Sequence, residues 1–113
     1  MAIHYATAAQ RICARGNWLV TNLALQKILY LSQMVHMGEH SGARLVDATF
    51  QAWDYGPVVV DLYQSVKFFG NQPIQAGFFN APVIDGMPEA ATIDSACDFL
   101  LQKSAGELVA MTH

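Results

Sequence analysis

The chain has 113 residues, of which 53% are hydrophobic and only 13% charged, with a net charge of −3. That length accommodates one domain, residues 1–113, and an apolar content this high, with eight Gly and four Pro, excludes a disordered chain. The six basic residues (Arg11, Arg15, Lys27, Arg44, Lys67, Lys103) are scattered singly, which disfavours a nucleic-acid partner because no stripe faces a row of phosphates.

In chain order, residues 5–15 read as a first helix stopped by Gly16. Thr21 is placed to cap a second helix over residues 22–38. At 100° per residue, Ala24, Ile28, Leu31 and Val35 share one face, widened by Leu25 and Leu29. Asn22, Gln26 and Gln33 form an amide stripe on another side. A helix this apolar belongs at the centre of a fold, where its amides need internal partners.

Residues 49–53 are rich in β-formers and read as a short strand. Asp54-Tyr55-Gly56-Pro57 reads as a turn, with Pro57 opening a third helix to about Phe69. Its inner face is Val58, Leu62, Val66 and Phe69; its outer face mixes Asp61, Gln64 and Lys67 with Val60 and Phe68. An extended piece near Ile74 is expected to pair with the strand, and residues 77–88 form a loop. Thr92 is expected to cap a fourth helix to about Lys103, directing Ile93, Cys97, Leu100 and Leu101 inward. Ser104 and Glu107 have the spacing of a capping box for a last short helix. The expected fold is mainly α (α+β): four to five helices around a central apolar helix, with a minimal β element.

An ordinary domain is about 25% charged, so this chain has roughly half the usual charge with which to cover its surface. Exposed apolar surface, and hence a protein partner or self-association into a homo-oligomer, is expected. No apolar run reaches the roughly 18 residues needed to span a membrane. Residues 1–15 lack the order of a secretory signal, so a cytoplasmic location without membrane contact is expected. Cys13 and Cys97 fit no metal spacing and read as buried free thiols rather than a disulfide or a nucleophile. No Gly-rich phosphate loop or G-x-S-x-G elbow occurs, and neither a cofactor nor catalysis is expected. One alternative of another class is a small zinc hydrolase. His36-Met37-Gly38-Glu39-His40 matches H-x-x-E-H, but Gly38 and Gly42 weaken the helix it requires, and Glu89, Glu107 and His113 are merely available as a third ligand.

Two longer segments are more specific. Thr21-Asn22-Leu23-Ala24-Leu25-Gln26-Lys27-Ile28-Leu29-Tyr30, continued by Gln33 and His36, resembles the first signature of the SocA-like, or Panacea, antitoxin domain. Ala52-Trp53-Asp54-Tyr55-Gly56-Pro57-Val58 resembles its second, and Glu107-Leu108 through Thr112-His113 its closing segment. The resemblance implies a non-enzymatic antitoxin that binds a co-encoded protein toxin. An alternative implied by one branch of the family is an adaptor that delivers its toxin to a AAA+ protease. The signature residues Thr21, Asn22, Leu25, Gln26, Lys27, Tyr30, Gln33, His36, Trp53, Tyr55, Gly56 and Pro57 are expected to be mainly structural, the amides tying the second helix to the Tyr55-Gly56-Pro57 turn. For partner contact the candidates are Tyr55, Val60, Gln64, Lys67 and Phe68. Phe68 is the strongest of these on physical grounds, since its helical position directs a large apolar ring toward water beside Val60.

Overall fold

The computed structural model describes residues 1–112. Among them are five α-helices and one β-hairpin: α1 (Tyr5–Arg15), α2 (Asn22–Glu39), β1 (Phe50–Trp53), β2 (Gly56–Val59), α3 (Val60–Val66), α4 (Pro88–Leu100) and α5 (Ala105–Thr112). A 3-10 turn, Lys67–Phe69, extends α3. The fold is therefore mainly α with a minimal β element, as expected, and no helix of the described residues is long and apolar enough to cross a membrane.

Local chemistry sets most of the boundaries. The Thr21 hydroxyl accepts from the Ala24 N–H at 3.3 Å and so starts α2. Before α5, Ser104 N donates to Glu107 Oε1 at 2.8 Å, and Glu107 N donates to Ser104 Oγ at 3.1 Å, a closed capping box. Pro88 occupies the first turn of α4, where a missing N–H costs nothing. The helix accordingly starts one turn earlier than Thr92, the cap expected from sequence. Thr92 instead lies inside the helix, where its hydroxyl donates to Pro88 O at 3.2 Å.

The central helix is α2, which packs against α1, α4, α5 and β2. Leu25, Ile28 and Leu29 are buried, but Ala24 and Leu31 are only half-buried and Val35 is exposed. Its inward side is rotated toward Asn22, Gln26, Gln33 and His36, all of them buried, because the hairpin, the loop before β1 and α4 pack against them. Gln33 Oε1 accepts from Val46 N at 3.1 Å and so anchors the loop before β1. Ile3 clamps the same loop, donating to Leu45 O at 2.9 Å and accepting from Asp47 N at 2.8 Å.

Three further expectations are corrected. Pro57 lies within β2 rather than opening a helix, since β2 is an edge where proline's missing N–H is tolerated. The third helix is consequently shorter, beginning at Val60 and tightening into the 3-10 turn at Lys67. Ile74 does not join the hairpin, because its N–H donates to Val20 O at 3.0 Å in the loop before α2.

On the opposite side, α1 and α4 are joined by charge. Arg11 holds Asp94 through two bonds of 2.8 Å and reaches Asp85 at 2.7 Å, while Arg15 binds Asp98 at 2.7 Å. The hydrogen bonds from Arg11 hold the Asp94 carboxyl below its usual range. Arg11→Ala is expected to cost about 1.5–3 kcal/mol, the range for hydrogen bonds to charged groups, measured by urea unfolding. Because the folded-state value of Asp94 lies beneath its unfolded value near 3.8, its contribution is complete above that value and is lost as pH falls through the folded one. The acid limb of a stability–pH profile should therefore flatten in Asp94→Asn.

Candidate functional site

Two side chains from one turn of α2 complete the outer edge of the hairpin. Val59 N donates to Gln26 Oε1 at 2.9 Å, and Gln26 Nε2 approaches Val59 O at 3.5 Å. Two residues earlier on the same edge, Pro57 O accepts from Lys27 Nζ at 2.9 Å. Gln26 thus occupies the place of a neighbouring strand and Lys27 extends it, while Pro57 has no N–H to leave unpaired. Asn22 Oδ1 fixes the Gln26 amide by accepting from Nε2 at 3.2 Å.

Lys27 is fully buried, and among the described residues it forms no ion pair. Burial pushes the pKa of its ammonium down. The group lies against Gly56, whose φ is +109° and where a Cβ would stand 3.2 Å from Lys27 Nζ and 3.0 Å from Thr112 Oγ1. Only glycine satisfies both the turn and the close approach.

Beside this junction lies a groove of about 900 Å³, bounded by the start of α2, the hairpin turn, α3 and the Gly70–Asn71 bend. It brings together Thr21, Asn22, Gln26 and Lys27 from the first signature with Trp53 and Tyr55 from the second, and adds Lys67 from the outer face. Trp53 packs edge-on against Tyr63 with ring centroids 4.9 Å apart, and its Nε1 donates to Gln51 Oε1 at 3.2 Å. Tyr55 stands 68% exposed at the rim. Leu23, Asp54, Val58, Tyr63 and Ala105 also line it and were not among the sequence candidates. Tyr63 was legible only as an aromatic one position from the inner stripe of the third helix.

Other candidates lie elsewhere. Phe68 is 69% exposed, as expected, but it is not isolated: Phe69 and Phe78 lie 4.3 and 5.6 Å away by centroid, forming an aromatic ridge. Gln64 is exposed and Val60 half-buried, and neither lines the groove. Tyr30 packs edge-on against Phe50 at 5.3 Å. Gln33 lies in the second half of α2, tied to Val46.

His36 is buried and turned toward α4, with Nδ1 and Thr92 Oγ1 2.8 Å apart. Since the hydroxyl donates to Pro88 O, the pairing assigns the ring proton to Nδ1. Nε2 stands 3.9 Å from Glu89. The His36 and His40 rings lie 4.2 Å apart by centroid, while Glu39 and His40 are exposed at the end of α2. Among the described residues no group of three His, Cys, Asp or Glu is placed to hold a metal ion, and His113 lies outside them. Burial pushes both the Cys13 and Cys97 thiols up to about 12, which leaves little thiolate for nucleophilic chemistry.

The family profile described as "Antitoxin SocA-like, Panacea domain" matches residues 25–85, which contain the Gln26–Lys27 pair, the hairpin and α3. The chain is similar to Antitoxin SocA of Caulobacter vibrioides (strain NA1000 / CB15N), with 29% identity over 104 residues. That alignment covers 83% of this chain and 55% of the relative, so the chain spans just over half the relative's length. No solved structure gives a significant match.

Gln26→Leu is expected to cost about 1–3 kcal/mol, the penalty for leaving buried groups of Val59 unpaired, read as a lower unfolding midpoint. For Lys27 the sign is opposite to that of a salt-bridged lysine. Between its depressed folded value and the ordinary 10.5, the unfolded chain binds more proton, so stability should rise with pH there. Lys27→Met should remove that rise in alkaline urea titrations.

Proposed function

This chain belongs to the SocA-like, Panacea-domain antitoxin family, and on that premise we propose that it neutralises a co-encoded protein toxin by direct, stoichiometric binding. The observation that carries the reading is the groove of about 900 Å³, where both signature segments meet under an exposed Tyr55 and beside Lys67. Aromatic and cationic side chains around a concave apolar floor are what binding energy concentrates on at protein interfaces. The Phe68 ridge, with Val60 and Gln64 on the same helix, extends this surface beyond the groove. Occlusion of a toxin's working surface demands affinity and shape, and no bond need be made or broken.

The reading is tested by expressing the adjoining reading frame with and without this chain. The neighbour should be lethal alone and harmless together, and tagged antitoxin should retain it in a one-to-one complex. Tyr55→Ala combined with Lys67→Glu should weaken that complex at least tenfold, about 1.4 kcal/mol, while the circular dichroism of the antitoxin stays unchanged. A harmless neighbour, or a complex indifferent to these changes and to Phe68→Asp, overturns the proposal. Immunoblotting of the neighbour adds the mechanism: sequestration leaves its level steady, whereas delivery to a AAA+ protease lowers it.

A further inference from the structure

The hairpin has two edges, and they are treated differently. Opposite the edge that Gln26 and Lys27 cover lies β1, whose register places Phe50 against Val59 and Ala52 against Pro57. In an antiparallel pair, residues alternate between exchanging hydrogen bonds and turning their backbone groups outward. Val59 and Pro57 direct theirs to α2, so Phe50 and Ala52 direct theirs away from the hairpin. Among the described residues, no backbone or side-chain group bonds to those two N–H or C=O groups. Strand edges that stay single are commonly blunted by lysine, proline or a bulge. Phe50-Gln51-Ala52-Trp53 contains none of these and no charge.

We propose that β1 pairs antiparallel with β1 of a second copy of this chain, about a two-fold axis at Gln51, making one continuous four-stranded sheet. The sequence is self-complementary in that register. Phe50 of each copy exchanges both backbone hydrogen bonds with Ala52 of the other, so all four outward groups on each chain are satisfied. A hollow of about 390 Å³ lies at this edge beside small Ala52, lined by Tyr30, Phe50, Pro57 and Thr112 and also by Gln51, Trp53 and Gly56. The Phe50 ring of the second copy would stand directly opposite Ala52 and enter it. On the other face the two Gln51 side chains meet at the axis, exposed and free of charge repulsion. A two-stranded hairpin is marginal alone, and doubling it removes the open edge. This inference does not depend on the toxin reading.

Sedimentation of the purified chain over the micromolar range should show a mass rising from one chain to two. Hydrogen exchange at the Phe50 and Ala52 amides should slow about tenfold in the dimer, the signature of a newly protected edge. Gln51→Lys and Gln51→Glu should each sediment as one chain, and their equimolar mixture should restore the two-chain species. Ala52→Pro should also give one chain while retaining wild-type circular dichroism, because the N–H it removes takes no part in the hairpin ladder. A single-chain mass throughout, or a dimer that persists in both Gln51 variants, overturns the proposal. So does protection of these amides only when the neighbouring gene product is added, which would assign the edge to a toxin strand.

Discussion

A helix and a hairpin are joined here by side chains acting as backbone. The amide of Gln26 offers a carbonyl and an N–H to Val59 as a neighbouring strand would, and Lys27 donates to Pro57 O one step along. Everything around the junction follows from that substitution. The hairpin edge must be presented to α2, so the loop before it is held by Gln33. The turn must bring Gly56 against Lys27 and Thr112, which excludes a side chain there. Proline is acceptable at the second strand position because that edge needs only its carbonyl.

The arrangement also explains why a chain with so little charge keeps polar groups inside. Asn22, Gln26, Lys27, Gln33, His36 and Thr92 are all buried, and each finds a partner. Only the Ser32 hydroxyl is a buried side-chain polar atom left unmatched among the described residues. Polar groups in a low-dielectric interior are costly when unpaired and directional when paired, so they select one docking of the hairpin among many greasy alternatives. At Lys27, burial weakens the hold on the proton.

Surface consequences run in the same direction. On the α1–α4 face, Arg11, Arg15, Asp85, Asp94 and Asp98 satisfy one another. The hairpin and α3 side carries Asp54, Asp61 and Lys67 and also exposes Trp53, Tyr55 and Phe68. On this side lie a groove, an aromatic ridge and an open strand edge.

Sequence alone determined the elements whose signals are local. Thr21, Gly16 and the Ser104–Glu107 box mark helix ends through contacts spanning four residues or fewer, and each lies where its spacing placed it. The exposure of Phe68 was likewise legible from helical periodicity. Pro57 and Thr92 misled because proline suits both a helix start and a strand edge, and threonine both a cap and an internal donor. Which role applied depended on residues 30 and 56 positions away, Lys27 for one and His36 for the other. The inward side of α2 was similarly set by what packs against it, so Val35 faces water while Gln26 does not. The groove belongs wholly to tertiary structure, since Thr21, Trp53 and Lys67 share it only after the hairpin has folded back onto α2. Local rules know a residue's neighbours in the chain, whereas a buried amide's fate is decided by whichever backbone group arrives opposite it.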